Sequence, residues 1–344
     1  MTSISTNGSH RARRSLATAA VVGLALAAFA ALAAAHASAA VKVDGVRAAL
    51  KKGTLNVTGS DGGQQVALRL KAGDPGVIQV DAGNDGSADF SFASADVGAI
   101  KVKMGDGNDL ARIDDSNGAF TGDSRPTTIA GGDGNDTLLG AQNPPAGPAA
   151  NQVETFKGGA GNDLVDGGRG NDIAYLGPGD DTFRWDPGEG SDVIEGQDGS
   201  DTLLFNGAPG TDNVTLSPNA GRLSFDRVQG AIHMDTNDVE TVDFNALAGA
   251  DTVLVKDLTG TDVTQTNLDL GGTDGALDSV DVNGTNGVDN ISIQGNGSGA
   301  DVTGLATAVS VKNAEATDHL NVHTLAGADN VVQNVGGLIQ LLVD

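Results

Sequence analysis

The sequence contains no cysteine, and only 3% of its 344 residues are aromatic. The absence of cysteine excludes disulfide cross-links, which hold many small exported domains together. Alanine supplies much of the 39% hydrophobic fraction, so Leu, Ile, Phe and Trp are sparse. A conventional core for a chain of this length would use more of these large side chains. A stable fold therefore needs another source of cohesion.

Basic residues are also few, and three of them lie in the first 39 residues. Arg11, Arg13 and Arg14 precede a long Ala-rich apolar run, which ends at the small-x-small sequence Ala37-Ser38-Ala39. This order is typical of a secretory signal peptide. We expect residues 1–39 to be cleaved on export, by the general or the twin-arginine route. A single membrane anchor is the alternative, because the apolar run approaches the length of a membrane span.

The remaining chain is strongly acidic. Without residues 1–39 it has 17 Lys+Arg against 45 Asp+Glu, a formal charge of −28. Nucleic acid and anionic membrane surfaces are excluded as probable partners by this charge, because both are themselves negative. Cations are the expected counter-charge.

Glycine and aspartate are abundant, and they occur in a fixed order. Five nine-residue segments begin at Gly158: GGAGNDLVD, GGRGNDIAY and LGPGDDTFR, then, after two extra residues, PGEGSDVIE and GQDGSDTLL. Two outlying copies precede them, MGDGNDLAR from Met104 and GGDGNDTLL from Gly131. Five copies nearly in phase indicate a repeat architecture rather than a bias in composition.

These segments resemble the RTX nonapeptide of haemolysin-type calcium-binding proteins, Gly-Gly-x-Gly-x-Asp-x-apolar-x. The resemblance covers residues 104–205 and implies an all-β fold, a parallel β-roll or β-solenoid with calcium-binding glycine-rich turns. Two repeats would complete one coil of about 18 residues. Glycines at positions one, two and four allow left-handed backbone angles. Carboxylate and carbonyl oxygens suit Ca²⁺ better than Zn²⁺ or copper.

The resemblance implies several structural calcium ions, bound by the turns. The predicted ligands are the sixth-position aspartates and the turn glycines: Asp109, Asp136, Gly159, Gly161, Asp163, Gly168, Gly170, Asp172, Gly177, Gly179, Asp181, Gly188, Gly190, Asp192, Gly199 and Asp201. Each turn should stack on the second turn after it. The predicted ion-sharing pairs are Asp163 with Asp181, Asp172 with Asp192, Asp181 with Asp201 and, across a loop, Asp136 with Asp163. A metal-free solenoid with Asx-Gly corners is the alternative.

The same alignment predicts a thin core and marks departures from the repeat. The apolar eighth positions should point inward: Val165, Ala174, Phe183, Ile194 and Leu203. Met104, Leu176 and Pro187 stand where the repeat has its first glycine. We interpret residues 141–151 as a Pro-rich loop bulging from the roll. Glu154 follows that loop, nine residues before Asp163, without turn glycines.

A second, longer repeat lies in the C-terminal part. NGAPGTDNVTL at 206–216 recurs as NGTNGVDNISI at 283–293, and ALAGADTVLV at 246–255 as TLAGADNVVQ at 324–333, at offsets of 77 and 78 residues. Nearby stretches such as VETVDF alternate with the period of two that is typical of strands. The GAD and GVDN turns keep an aspartate after glycine without the full motif. We predict unliganded turns there, with occasional weak ion binding as the alternative.

These patterns together predict four regions. They are a signal peptide at 1–39, a β-rich solenoid-like module at 40–103, a calcium-binding β-roll at 104–205, and a degenerate β-solenoid at 206–344 with the 77–78-residue repeat.

No motif marks a catalytic site. His319 and His323, in HLNVH, lack the glutamate of a zinc-protease helix, and we predict a strand with both on one face. No nucleophile elbow is present. Trp185, Tyr175 and Phe183 lie beside the turns, and we predict that they pack rather than stack on a sugar.

The sequence therefore predicts a secreted or cell-surface calcium-binding repeat protein without catalytic activity. Its roll would fold on binding calcium after export and present a surface for adhesion or matrix assembly, with extracellular polysaccharide or cell-surface components as partners. Two alternatives remain. One is a calcium-assisted polysaccharide lyase of the parallel β-helix class, with Arg184 or Lys157 as the base. The other is the scaffold portion of a larger RTX protein. The apolar end GGLIQLLVD predicts an exposed sheet edge through which copies could associate, with a truncated sequence as the alternative.

Overall fold

Short apolar runs between glycine-rich turns form strands along the whole described part of the chain. The computed structural model describes residues 42–122, 125–142 and 153–344. The predicted signal peptide and most of the predicted loop at 141–151 lie outside these residues. Within them, no helix is long and apolar enough to cross a membrane. One short 3-10 turn, Ser94–Asp96, interrupts the strands.

The strands are short, as the nine-residue period requires. In chain order they are β1 Lys42–Val43, β2 Val46–Lys51, β3 Thr54–Thr58, β4 Gln65–Lys71, β5 Asp74–Ala82, β6 Phe90–Ala93, β7 Ala99–Asp106, β8 Leu110–Asp114, β9 Thr127–Asp133, β10 Thr137–Ala141, β11 Glu154–Ala160, β12 Leu164–Gly168, β13 Ile173–Tyr175, β14 Thr182–Trp185, β15 Val193–Glu195, β16 Thr202–Asn206, β17 Asn213–Asn219, β18 Arg222–Arg227, β19 Ile232–Asn237, β20 Thr241–Asn245, β21 Thr252–Val255, β22 Gln265–Asp269, β23 Ser279–Asn283, β24 Asn290–Gly295, β25 Ala300–Thr303, β26 Ala308–Lys312, β27 His319–His323, β28 Asn330–Asn334 and β29 Gln340–Val343.

Two long sheets contain all of these strands. Sheet 1 has fifteen, in the order β1-β2-β3-β7-β9-β11-β13-β15-β19-β18-β17-β21-β23-β27-β29. Sheet 2 has fourteen, in the order β28-β24-β25-β26-β22-β20-β16-β14-β12-β10-β8-β4-β5-β6. From β7 to β16 the chain alternates between the sheets, and each strand pairs in parallel with the strand one coil away. The fold is a parallel β-roll continued as a β-solenoid, as the sequence predicted.

Coil length differs from the expected value in the first coils. In sheet 2 the first residues of successive strands are paired: Leu110 with Thr137, and Thr137 with Leu164. Each of these two pairs is 27 residues apart in the sequence. The next step, Leu164 to Thr182, has the expected 18. The extra residues fall between strands in the sequence, because the parallel register fixes the strand positions and leaves only the connections free to lengthen.

Antiparallel meanders interrupt the parallel order, which the sequence did not predict. β17–β18–β19 is spliced into sheet 1, and β24–β25–β26 into sheet 2. These meanders begin at Asn213 and Asn290, 77 residues apart. The long repeat is therefore a meander followed by parallel coils, with its two copies inserted in opposite sheets.

The core is a single thin layer of side chains between the two sheets. Val165, Ala174, Phe183, Ile194 and Leu203 are all fully buried, which confirms the predicted inward eighth positions. Two of the unusual first-position residues, Met104 and Leu176, are fully buried as well.

Aromatic rings thicken the core where the repeat turns give way to the first meander. Trp185 stacks on Phe205 at a centroid distance of 4.0 Å, and Phe225 packs on Phe205 at 4.4 Å. Phe244 completes the cluster, 6.1 Å from Phe205. The indole N–H of Trp185 donates to the carbonyl of Gly190 at 2.8 Å. Aromatic packing of this kind supplies cohesion that the small Ala and Val positions lack.

Candidate metal centre

A column of carboxylates runs along the edge where the strands of sheet 2 begin. In each coil the Oδ1 atom of the sixth-position aspartate accepts a hydrogen bond from the backbone N–H of its counterpart one coil earlier. The N···Oδ1 distances are 2.8 Å from Asp109 to Asp136, 2.7 Å from Asp136 to Asp163, 2.7 Å from Asp163 to Asp181, and 2.9 Å from Asp181 to Asp201. Glu240 ends this series by accepting from Asp201 at 2.8 Å.

A second column lies on the edge where the strands of sheet 1 begin. Glu154 N–H donates to Asp172 Oδ1 at 2.6 Å, and Asp172 N–H donates to Asp192 Oδ1 at 2.7 Å. The four predicted aspartate pairs are therefore stacked as expected. Whether each pair shares an ion stays a prediction. Glu154 occupies a column position although its segment has no turn glycines.

The second oxygen of each column aspartate is buried without a hydrogen-bond partner. This holds for Oδ2 of Asp109, Asp136, Asp163, Asp172, Asp181, Asp192 and Asp201. The seven residues are at most 3% exposed. An ionised oxygen in such a position is costly unless a donor or a cation compensates it. The columns therefore present aligned, unsatisfied oxygens.

First-position glycines make room for these oxygens. Oδ2 of Asp163 and the carbonyl oxygen of Leu176 both face the space beside Gly158 that a Cβ atom would occupy. At Gly167, a Cβ atom would lie 2.7 Å from Oδ2 of Asp172. Neither glycine has a left-handed φ. The prediction of left-handed angles at position one was therefore wrong, and glycine is needed there for space.

Left-handed angles are found at positions two and four. Among the predicted ligand glycines, φ is positive at Gly159, Gly161, Gly168, Gly170, Gly177, Gly179, Gly188 and Gly199. Gly190 is the exception, because its φ lies outside that region. A Cβ atom at Gly190 would nevertheless collide with the carbonyl of Gly170 in the preceding coil.

Fifth-position side chains form an outer ladder that the sequence analysis missed. Asn135 N–H donates to Asn108 Oδ1, and Asn162 N–H donates to Asn135 Oδ1, both at 2.9 Å. Asp180 N–H continues the ladder by donating to Asn162 Oδ1 at 3.2 Å. These bonds run opposite to those of the aspartate columns. The available signal was the recurrence of Asn at position five in four of the seven copies.

Burial makes the column carboxylates weak acids when no cation is bound. Burial raises the pKa of Asp163 to about 7, although the N–H of Asp136 acts in the opposite direction. It likewise raises the pKa of Asp201 to about 7, and the pKa of Asp136 and of Asp181 to about 6. For Asp172, burial and the charge of Glu154 raise the pKa well above its ordinary value.

Calcium fits this arrangement. The donors are carboxylate and carbonyl oxygens, which are hard ligands suited to Ca²⁺. Four of the unsatisfied Oδ2 atoms lie beside first-position glycines, which cover them with no side chain: those of Asp136, Asp163, Asp172 and Asp201. A bound cation would neutralise their charge. The column aspartates would hold the ion, and the ion would supply the missing positive charge between coils.

A separate acidic group lies beside the columns. Asp166, Asp186 and Glu189 bring one carboxylate oxygen each within 4.8 Å of one another, so they too could hold a metal ion. Arg184 already pairs with Asp166 and lies 3.2 Å from Asp186. Burial, together with the charge of Asp166, raises the pKa of Glu189 to about 9.

Comparison with protein families agrees with the geometry. The family model of the RTX calcium-binding nonapeptide repeat matches four copies, in residues 121–142, 151–183 and 188–212. The chain carries RTX calcium-binding repeats. Comparisons with curated proteins and with solved structures gave no match. The RTX segments contain every predicted ligand aspartate except Asp109, which stacks on Asp136 from outside the matched residues.

The other residues singled out in the sequence do not belong to the aspartate columns. His319 and His323 lie on strand β27, and His323 contacts Asp281 and Asp344 through its two ring nitrogens, at 3.0 and 2.6 Å. Phe183 and Trp185 are fully buried, as the packing prediction required, whereas Tyr175 is 40% exposed.

Stability should respond to pH in opposite directions with and without calcium. The folded-state pKa values of Asp136, Asp163, Asp181 and Asp201 lie at about 6 to 7, above the ordinary 3.8. The metal-free fold therefore keeps protons that the unfolded chain releases, so its stability is greatest below pH about 4 and falls as pH rises to about 7. Saturating calcium reverses the slope, because the ion binds the deprotonated form. Urea unfolding at pH 5 and pH 8, after dialysis against chelator and in excess calcium, measures both slopes. A metal-free stability that rises with pH would contradict the expectation.

Proposed function

We propose that this protein is exported and that its RTX roll folds and stiffens when calcium binds, giving a non-catalytic extracellular or cell-surface element. The roll would present an extended surface to polysaccharide or other cell-surface components. Before export, low calcium would leave the carboxylates uncompensated and the roll destabilised. After export, calcium would neutralise them, so that location and folding are linked.

The observation that supports this proposal most directly is the buried, unpartnered Oδ2 atom in each column aspartate. Seven such oxygens lie within one roll, and no cationic side chain in the described ranges pairs with their carboxylates. A thin core and a chain rich in glycine leave little energy to offset this charge burial. A divalent cation supplies both the charge and the link between coils.

The non-catalytic part of the proposal is supported by the surroundings of Arg184 and Lys157, the two residues considered above as the base of a lyase. Burial lowers the pKa of Arg184, but its hydrogen bond to Asp166 and the surrounding acidic charge outweigh this, and the net pKa is raised. Such a guanidinium cannot act as a base. The Nζ atom of Lys157 lies 5.8 Å from the centroid of the Tyr175 ring, in a cation–π contact.

Calcium titration of the chelated chain tests the proposal. Followed by far-UV circular dichroism, β signal should increase cooperatively with calcium and not with magnesium, because magnesium keeps its waters and demands a tighter octahedral site. A chain with full β signal in chelator, and no change in thermal unfolding on adding calcium, would overturn calcium-dependent folding. A search for uronic-acid polymer cleavage on the same sample tests the lyase alternative.

A further inference from the structure

A third column of aspartates continues along the sheet 1 edge, beyond the residues matched by the RTX family. Asp212 N–H donates to Asp251 Oδ1 at 2.7 Å, Asp251 N–H to Asp278 Oδ1 at 2.8 Å, and Asp278 N–H to Asp318 Oδ1 at 3.0 Å. These side chains are 0 to 4% exposed. The contact is the same as in the RTX columns, although one of these residues, Asp251, lies in a GAD turn for which the sequence analysis favoured the unliganded state.

The turns of this column stack as the RTX turns do. Gly249, with φ of 123°, lies over Gly210, and a Cβ atom on it would approach the Gly210 carbonyl carbon to 2.6 Å. Gly271 lies over the carbonyl of Leu247, which itself has a φ of 73°. Gly159 lies over the Gly132 carbonyl in the same manner within the RTX roll. Positions two and four of the turn are therefore preserved in space without the glycine-rich motif.

Among the aspartates of this column, only Asp212 is paired with a positively charged side chain of the described residues. The Arg227 guanidinium donates to Asp212 Oδ1 through Nε at 2.6 Å, and it is itself 8% exposed. The ion pairs of the described residues include none to Asp251, Asp278 or Asp318. A buried arginine at one aspartate indicates that this edge requires positive charge.

Asp251 lacks such a positive partner. Its Oδ2 atom is buried and has no hydrogen-bond partner, and the residue is 1% exposed. Two other aspartates of the column are better satisfied: Oδ2 of Asp212 accepts from Ala208 N–H at 2.8 Å, and Oδ2 of Asp318 accepts from Glu315 N–H at 2.6 Å. The unsatisfied oxygen thus lies between Asp212 and Asp278 in the column.

We propose that Asp251 and Asp278 bind a divalent cation, with Ca²⁺ as the chemically favoured ion, in a site separate from the RTX repeats. The two carboxylates supply hard oxygen donors, which suit this ion. Ala246 replaces the first glycine of the turn. Met104 and Leu176 do so in the RTX columns, where Oδ2 of Asp109 and Asp181 remains unpartnered all the same. Arg227 supplies the positive charge at Asp212. The proposed metal site therefore begins one turn later, at Asp251.

The test compares bound calcium in the full chain and two variants. Asp251→Asn keeps the Oδ1 acceptor for Asp212 N–H and removes the charge. The matched control is Asp289→Asn. Asp289 precedes β24 in sheet 2 and makes the same stacking contact, its N–H donating to Asp329 Oδ1 at 2.9 Å. Its two oxygens both accept from Thr285, at 2.8 and 3.0 Å. Equilibrium dialysis at saturating calcium, with metal measured by atomic absorption, gives the number of ions per chain. Asp251→Asn should bind at least one ion fewer than the wild type, and Asp289→Asn the same number.

This proposal rests on the proposed calcium binding by the RTX turns, but the dialysis distinguishes failure of one from failure of the other. Equal ion numbers in the wild type and Asp251→Asn would overturn the proposal, while a wild type that binds no calcium would overturn the proposed function as well. Thermal unfolding in chelator guards against a misfolded variant. There Asp251→Asn should be at least as stable as the wild type, because a buried charge has been removed. If Asp251→Asn fails this criterion, Asp278→Asn is measured by the same dialysis, with the same two outcomes.

Discussion

Gly159→Ala is expected to destabilise the calcium-bound roll by on the order of 3 kcal/mol or more, because two costs combine. Gly159 has a φ of 128°, a region that side chains with a Cβ atom rarely occupy. A Cβ atom there would also collide with the carbonyl oxygen of Gly132, in the coil below. That carbonyl cannot move freely, because Gly132 is fixed in register with Gly159 by the parallel strands β9 and β11. The measurement is urea unfolding in excess calcium.

The control isolates the angle from the collision. Gly118 has a φ of 121°, close to that of Gly159, and a Cβ atom on it would make only an ordinary contact, with Leu70 Cδ1 at 3.5 Å. Gly118→Ala should therefore cost only the backbone term, about 1 to 2 kcal/mol. Equal losses in the two variants would mean that the coils separate easily at this turn, contrary to the tight stacking described above.

The repeat region could be predicted from sequence because its period fixes its geometry. Once Asp163, Asp181 and Asp201 are known to recur at nearly two repeats, parallel stacking brings them together with no further information. The inward position of Phe183 follows from the same count. What the period could not give was the reason for the first glycine, since both a special φ and a close approach select glycine. At Gly158 the structure identifies the close approach.

The meanders could not be predicted because alternation specifies a strand without specifying its partner. The segment from Asn213 to Asn237 alternates as a solenoid strand would, yet β18 runs antiparallel to β17 and β19. Strand direction is set by the turns, here at Ala220-Gly221 and Gly230-Ala231, all with left-handed angles. Two of these four residues are alanines, which are not turn signals in sequence.

The third aspartate column was missed because the search required glycine at several positions. A broader signal was available: Asp212, Asp251 and Asp278 each precede an x-apolar-x-apolar run, DNVTL, DTVLV and DSVDV. RTX copies show the same feature at Asp201, in DTLLF. The strand that follows the aspartate, rather than the glycines before it, is the part of the motif that persists. It persists because the core needs the apolar side chains whether or not an ion is bound.

Asp181→Asn is expected to weaken calcium binding by roughly tenfold or more. Removing a residue that only supports a metal ligand already costs about tenfold in affinity, and Asp181 is a proposed ligand itself. Asp181 lies mid-column: its Oδ1 accepts from Asp163 N–H at 2.7 Å, and its own N–H donates to Asp201. Asparagine keeps the accepting oxygen, so the column can still stack. The lost charge belongs to the unpartnered Oδ2 atom, and ligand charge sets calcium affinity. Isothermal titration at pH 7.5, above the raised pKa of about 6, measures the change.

The adjacent residue provides a control with the same change of charge. Asp180 is exposed and occupies position five, where its Oδ1 accepts from Ser200 N–H at 3.1 Å. Asp180→Asn introduces the residue found at the same repeat position in Asn135 and Asn162. It should leave calcium affinity within about threefold, as expected for a solvent-screened charge.

In chelator, Asp181→Asn should also raise the free energy of unfolding, because a buried carboxylate no longer has to stay protonated. Lower calcium affinity with higher metal-free stability is a combination that simple damage to the fold cannot produce. An equal loss of affinity in both variants would instead assign calcium binding to the general negative charge of the chain rather than to the column.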